Sequence, residues 1–336
     1  MTVSFQYPKI NSAACVLTMS PVAQCTACVD TCPRNALCLD DDSLGFDEDA
    51  CDGCGLCHAA CPEGAIDIPM SLALREDSEQ RVTAFLACAR AGVDHEEAMV
   101  PCLHAVGMRD LQRLADEGVA QIALPRGDCQ TCPRNSGQSF DRSFEDFNAI
   151  QKSRGRVSMR LERLPIATWQ REIDARRKPA ITVDQGRRQF LSMFTGRREA
   201  QLGHRRRSPT EMGDTESWIY AAVPEIDGTK CNGCDACISV CPHGVFALSH
   251  IETASEYRID PDQCTGCQLC KDVCDQGAVT LKTMITQRQR SVPLNRGQCR
   301  VCGVRFHAPK EAKGRHDTCP ICAKTGRHQK LFQVLD

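Results

Sequence analysis

The sequence predicts an α+β multidomain protein, and three observations predict it. Cys231, Cys234, Cys237, Cys241 and then Cys264, Cys267, Cys270, Cys274 repeat one spacing, C-x2-C-x2-C-x3-C, and a related pair of runs occupies the first 70 residues. Residues 81–164 alternate short apolar runs with segments of helical period, which indicates a small parallel α/β domain between the two cysteine-run modules. The last fifty residues carry Cys299-x2-Cys302 and, sixteen residues on, Cys319-x2-Cys322. Five segments are expected: 1–80, 81–164, a linker at 165–225, 226–286, and 287–336.

The doubled run has a local physical reading. Three thiolates spaced two residues apart embrace one iron–sulfur cube, and the fourth, three residues further, points toward a second cube. Cys231, Cys234, Cys237 and Cys274 are therefore expected to hold one [4Fe–4S] cluster, and Cys264, Cys267, Cys270 and Cys241 another. Zinc takes four ligands in two pairs rather than eight in interleaved runs.

The chain has 336 residues, 42% of them hydrophobic, enough for two or three domains. Its 25 cysteines fall in C-x2-C clusters rather than in a short secreted framework. Residues 1–10 lack a basic region followed by an apolar core, and no apolar run reaches membrane-spanning length. Thiolate-bound clusters suit a reducing interior, so a soluble cytoplasmic protein is expected. The net charge of −2 is segregated: residues 1–80 carry three Lys/Arg against thirteen Asp/Glu, residues 151–207 sixteen against five, and residues 287–336 eleven against three. Such asymmetry suits a docking face on an acidic partner, or equally a solvated basic helix.

In the N-terminal module, Cys51, Cys54, Cys57, Cys61 and Pro62 form a complete run, whereas the earlier one reads Cys25, Cys28, Cys32, Pro33 with Val22 where its first ligand would fall. Cys51, Cys54, Cys57 and Cys32 make one complete set. For the other, Cys15 is expected to join Cys25, Cys28 and Cys61; the alternative is a three-iron or labile cluster on those three alone. Cys38, in an alternating segment, reads as a small buried hydrophobe.

On these residues, 15–68 and 226–282 each resemble the bacterial-type two-cluster ferredoxins. That resemblance implies two pseudo-symmetric β–α–β halves per module and four [4Fe–4S] clusters in all. The sequence departs from the family at Val22 and at Asp275, where proline is usual.

In the middle segment, strands are expected at 82–88, 99–103, 119–124 and 157–164, and helices at 107–118, stopped by Gly118, and at 139–153. Cys88, Cys102, Cys129 and Cys132 all fall at or just beyond strand ends, where α/β sheets place their sites. Ala-Cys followed by Ala-Gly-Val-Asp, the strand cysteine Cys102, Glu117-Gly118-Val119 and Gly-Asp-Cys at 127–129 resemble the iron–sulfur delta subunit of methyl-viologen-reducing hydrogenase. That family links hydrogenases or formate dehydrogenases to heterodisulfide reductase and binds a [2Fe–2S] cluster with four cysteines. Here Cys88 stands alone where the family pairs two cysteines, and Cys132 is additional. A fifth cluster, [2Fe–2S] or [4Fe–4S], is expected; a redox-inert spacer is the alternative.

Residues 165–225 hold the arginine-rich stretch, with Phe190, Leu191 and Phe194 able to form one helical stripe, and read as a linker with a partner-docking helix. Cys299, Cys302, Cys319 and Cys322 suit a closed tetrahedral zinc site that folds a small zinc-ribbon-like domain. Iron is the rival metal, since Cys302-Gly303 and Cys319-Pro320 resemble rubredoxin knuckles. His58 and His243 read as surface residues, the alternative being that they tune a cluster potential through N–H contacts to sulfur, and His104 as a conceivable substitute ligand beside Cys102.

No P-loop and no G-x-G-x-x-G after a strand is present, and no nucleophile–base pairing is recognisable. The expectation is an iron–sulfur electron-transfer subunit, not catalytic alone. It would link subunits of an oxidoreductase of flavoprotein, molybdenum/tungsten or hydrogenase type, such as a formate or aldehyde dehydrogenase or a heterodisulfide-reductase-like complex. The alternative is a redox-sensing or nucleic-acid-interacting regulator using the four-cysteine knuckle and the arginines, although few aromatic residues are available to stack on bases.

Overall fold

A computed structural model describes residues 7–40, 43–93, 95–134, 139–178, 217–251, 254–312 and 317–325. The chain divides into two units, Met1–Met19 with Thr26–Ile219, and Ser20–Cys25 with Tyr220–Asp336.

The first unit opens with the strand Lys9–Ile10, paired antiparallel with Ile66–Asp67. Between them in sequence lie the short helices Ala27–Asp30 and Leu56–Ala60 and the hairpin Leu37–Asp40/Ser43–Phe46. Leu37 and Ile66 form a small core with Cys28 and Cys57. Cys38 departs from expectation: it is exposed, because Leu37 takes the inward position and the next residue of a strand faces the other way.

A four-stranded sheet follows, in the order Arg160–Leu164, Val119–Pro125, Val82–Phe85, Ala73–Glu76. The first two pairings are parallel and the last antiparallel. Alternate residues feed opposite faces: Ala84 and Ile122 pack with Leu111, Leu114, Phe144 and Phe147, while Phe85 and Ala123 pack with Trp169 and Ile173. The helices Met108–Asp116 and Phe140–Ser153 thus cover one face and Ile166–Ala175 the other, as a parallel sheet requires. Gly118, at φ +78°, ends the first of these helices as the sequence predicts.

Two boundaries differ from the sequence reading. Ala73–Glu76 adds an edge strand to this sheet, so the α/β fold begins before residue 81. Ile166–Ala175 is core rather than linker, with Trp169 fully buried and its indole N–H donating to the Ala123 carbonyl at 2.9 Å. Arg176 and Lys178, counted in the basic stretch, pair with Glu172 and Glu97 of the same unit. The docking helix expected around Phe190, Leu191 and Phe194 lies outside the described residues.

The second unit repeats the plan of the first module on a larger scale. Its first strand, Tyr220–Ile226, pairs antiparallel with Val279–Ile285, and the hairpin Phe246–Ile251/Ala254–Ile259 lies between them in sequence. The strand Ser291–Gln298 pairs with Ala254–Ile259 and is followed by Arg305–Pro309. Val292 and Leu294 share one core with Ile226, Phe246 and Tyr257. The segment expected to stand alone at 287–336 is therefore grown onto the module's own sheet.

Candidate iron–sulfur centres

The three complete cysteine runs share one backbone device. The residues two and four beyond the first cysteine are left-handed in each: Gly53 and Gly55, Gly233 and Asp235, Gly266 and Gln268, with φ from +62° to +80°. These turns wrap the loop so that successive sulfurs converge, and glycine enters this region at no steric cost. In the incomplete run the equivalent positions are Gln24 and Thr26, and Thr26 has φ −115°. Its chain enters the helix Ala27–Asp30 directly, and Val22 is 43% exposed.

Cys32, Cys51, Cys54 and Cys57 line one small cavity. At the equivalent place in the second module, Cys241, Cys264, Cys267 and Cys270 line another. These are two of the sets read from spacing. Burial, then the neighbouring Cys54, Cys28, Cys32 and Cys51, push the Cys57 thiol up to about 12. Burial likewise pushes Cys270 above the ordinary thiol range, followed by Cys264, Cys267, Cys241 and Cys237. Cys237 rises to about 12 by burial and by its neighbours Cys231, Cys234 and Cys274, the other set of that module. Cys28 beside Cys57 and Cys237 beside Cys270 occupy equivalent positions, so in each module one set abuts the next.

The last cysteine of three runs receives a backbone N–H from four residues on: Ala36 to Cys32 Sγ at 3.3 Å, Ala65 to Cys61 at 3.2 Å, Ala278 to Cys274 at 3.3 Å. Four sulfurs crowded into apolar surroundings are unfavourable as bare thiolates, since each raises its neighbour and burial raises all. A cationic iron–sulfur core is the partner such a donor set fits, with N–H groups aimed at the sulfurs. Such a core supplies a one-electron couple.

Of the fourth expected set, Cys28 and Cys61 share the small core of the first module. Cys15 caps the turn Ser12–Ala14 and is half-buried. Cys25 belongs to the segment Ser20–Cys25 of the second unit, where the Gln24 N–H donates to Asp272 at 2.9 Å.

The four middle cysteines are neighbours. Burial, then Cys88, Cys54 and Cys132, push Cys102 up to about 12, and burial with Cys88 and Cys132 also raises Cys129. The Arg90 N–H donates to Cys88 Sγ at 3.3 Å, the same N–H-to-sulfur contact as in the ferredoxin-type runs. His104 is engaged elsewhere: its Nδ1 accepts the Phe140 N–H at 3.0 Å, at the start of the helix Phe140–Ser153.

At Cys299, Cys302, Cys319 and Cys322 the four ligand atoms lie within 4.8 Å of one another, and Cys302 and Cys319 Sγ are 3.8 Å apart. A tetrahedral ion with metal–sulfur bonds of about 2.3 Å spaces its sulfurs about 3.8 Å apart. The Cys319 N–H, followed by that of Cys302, holds the Cys299 thiol down at about 6. Among the described residues no ferredoxin-type set is drawn so tight, which separates a single-ion site from cube-sized ones.

Three polar groupings escape the sequence reading. His58, expected at the surface, is 5% exposed and meets the buried Asp110. Arg134, also 5% exposed, bonds Asp52 and Pro101. Tyr257 donates to Asp235 Oδ1 at 2.6 Å, and His307 Nε2 lies 2.9 Å from the same oxygen. Asp52 and Asp235 sit inside cysteine runs, which is the one local signal that a polar partner was needed there.

Among the described residues no helix is long and apolar enough to cross a membrane. Residues 230–278 match a family model described as a 4Fe-4S dicluster domain, and residues 44–66 one described as a 4Fe-4S binding domain. The incomplete run lies outside both. Over 161 residues, 44% of this chain and 76% of the relative, the sequence is 29% identical to "Hydrogenase-4 component A" of Escherichia coli (strain K12). Over 100 residues it is 31% identical to "Putative oxidoreductase UacF" of the same organism, covering 30% of this chain and 14% of that protein. Two 4Fe–4S ferredoxin-type domains are thus present, and their chemistry is iron–sulfur electron transfer.

Proposed function

We propose that the protein is a polyferredoxin subunit that carries single electrons between other subunits of an oxidoreductase complex, in the reducing interior of the cell. The observation that carries the reading is the pair of cavities at equivalent places in the two modules, each walled by four cysteines drawn from two runs. The name of the relative at 76% coverage supports a hydrogenase-type partner, and the resemblance of the middle segment supports a heterodisulfide-reductase-like or formate-dehydrogenase one.

In this reading four [4Fe–4S] clusters sit on Cys231/Cys234/Cys237/Cys274, Cys241/Cys264/Cys267/Cys270, Cys32/Cys51/Cys54/Cys57 and Cys15/Cys25/Cys28/Cys61. A fifth cluster sits on Cys88/Cys102/Cys129/Cys132, and zinc on Cys299/Cys302/Cys319/Cys322. The chain itself grips the sulfurs, keeps water from them and directs N–H groups at them, so that a unit change of charge demands little rearrangement. Anaerobic purification with iron, sulfide and zinc counts and electron paramagnetic resonance tests it. About sixteen irons, with two to four more for the middle site, is the expected result; a colourless protein nearly free of iron overturns it.

A further inference from the structure

We propose that Arg134 is the positioning residue that joins two iron–sulfur sites of the first unit into one electron-transfer pair. It would fix the Cys54 side of the Cys32/Cys51/Cys54/Cys57 site against the Cys102 side of the Cys88/Cys102/Cys129/Cys132 site, and its charge would set the potential of the former. The inference rests on the proposed function, because it takes both cysteine sets to hold clusters.

The guanidinium is spread over two chain segments that are remote in sequence. Nε donates to Asp52 Oδ2 at 3.0 Å and Nη2 to the Asp52 carbonyl at 2.6 Å, while Nη1 donates to the Pro101 carbonyl at 2.9 Å. Asp52 lies between Cys51 and Cys54, Pro101 immediately precedes Cys102, and Arg134 itself follows Cys132 by two residues. One planar fork thus grips a ligand loop from each site and is anchored on a third. With 5% of its surface exposed, its charge is largely withdrawn from water, where only a well-fixed partner makes it tolerable.

The loops it grips touch. Cys54, Leu56, Cys102 and Ala105 share one apolar cluster. A Cβ built on Gly55, at φ +77°, would lie 3.0 Å from the Ala105 Cβ and 3.1 Å from Ile68, so no side chain fits between the segments. Cys54 is also near enough to Cys102 to act on its thiol. Tunnelling falls steeply with separation, so a contact of this kind is where electrons would cross.

Cys32, Cys51, Cys54 and Cys57 would hold one one-electron group and Cys88, Cys102, Cys129 and Cys132 the other. An electron passing between them would leave one site oxidised and the other reduced by a single unit, with no bond made and no proton transferred; a reduced viologen would supply the electron in vitro. A fixed cation beside the first site favours its reduced, more negative state and so raises its potential, partly offset by the Asp52 carboxylate.

The test uses the full-length, anaerobically purified protein as wild type, Arg134→Lys, Arg134→Ala and Cys102→Ser. Each is assayed for iron, for potentials by redox titration, for spin–spin broadening between reduced sites, and for electron redistribution after mixing with reduced methyl viologen. Lysine keeps the charge without the fork. Arg134→Lys should therefore hold the potential but lose broadening and redistribute electrons more slowly than the wild type, because a tunnelling rate falls when a fixed spacing is lost. Arg134→Ala should in addition shift the potential downward. If Arg134→Ala loses iron, Arg134→Lys decides. Wild-type broadening, rate and potential in an iron-replete Arg134 variant overturn the inference. An iron count in Cys102→Ser equal to the wild type overturns instead the assignment of a cluster to the middle site.

Discussion

His58 and Asp110 meet inside the first unit, with His58 Nε2 3.1 Å from Asp110 Oδ2 and His58 Nδ1 2.9 Å from the Ile66 carbonyl. His58 follows Cys57 directly, and Asp110 also accepts the Gly107 N–H at 2.9 Å, closing the start of the helix Met108–Asp116. A cluster loop and the α/β sheet's covering helix are thereby tied through one polar pair 52 residues apart in sequence.

Replacing Asp110 by alanine leaves a buried imidazole and a backbone N–H without their acceptor. The expected loss is about 1–3 kcal/mol of stability, read by chemical denaturation of the iron-loaded protein. Burial pushes the Asp110 carboxyl up, but the hydrogen bond and charge of His58 outweigh it and hold the group below the usual carboxylate range. A depressed folded-state value stabilises above the unfolded carboxylate pKa of about 3.9 and is lost as pH falls through the folded one. Asp110→Asn should therefore flatten the acid limb of the stability profile below pH about 4. An unchanged acid limb would falsify this.

Cysteine-to-serine changes should be unequal. Cys267 lines the second-module cavity, so Cys267→Ser should remove about four irons. Cys38 is exposed on its hairpin, and Cys38→Ser should leave the iron count where it was. Loss of iron from the latter would make Cys38 a ligand.

The incomplete run gives a third contrast. If Cys15 stands in for the ligand missing at Val22, Cys15→Ser lowers the iron count by about four and removes one resonance signal. An undisturbed count and a three-iron signal already present in the wild type would select the three-cysteine alternative.

Gly233 tests the steric closeness of a ligand loop. At φ +75°, a Cβ there would fall 2.2 Å from the His307 carbonyl oxygen. Gly233→Ala should cost about 1–3 kcal/mol and labilise the cluster assigned to Cys231, Cys234, Cys237 and Cys274. Gly244 has a similar φ of +65° but nothing within 4 Å, so Gly244→Ala should carry only the backbone strain of about 1 kcal/mol. Equal melting temperatures for the two variants would remove the steric explanation.

At the four-cysteine knuckle, metal analysis should find one zinc per chain, lost in Cys322→Ser. Hydrogen exchange should then speed up in residues 299–309 and 317–325 while the iron count holds. Retention of the ion by that variant would rule out four-sulfur ligation.

Local spacing made the convergence of two cysteine sets legible, because a cysteine run dictates its own loop. The left-handed turns at Gly53, Gly233 and Gly266 were not read from the sequence, although glycine two residues beyond the first cysteine is a signal for them. The apolar run 82–88 marked a strand, but the opposite faces taken by Ala84 and Phe85 had to come from the structure. What stayed hidden was non-local. Arg134 reaches Asp52 across 82 residues, and nothing near either residue names the other. The helix Ile166–Ala175 was hidden by its charges: Trp169 and Ile173 form the inward stripe, but the arginines around them made the stretch read as solvent-facing. The outer hairpin was mistaken for a separate domain because strand pairing, unlike cysteine spacing, leaves no mark in the intervening sequence.

That hairpin has a consequence for how the Gly233 loop is held. The strand Arg305–Pro309 lies over that loop, and His307 reaches down to Asp235, between Cys234 and Cys237, while the four-cysteine knuckle stands at the turn of the hairpin. Loosening the knuckle would therefore release the strand that presses on the loop, so that damage to one cysteine set would be felt at another.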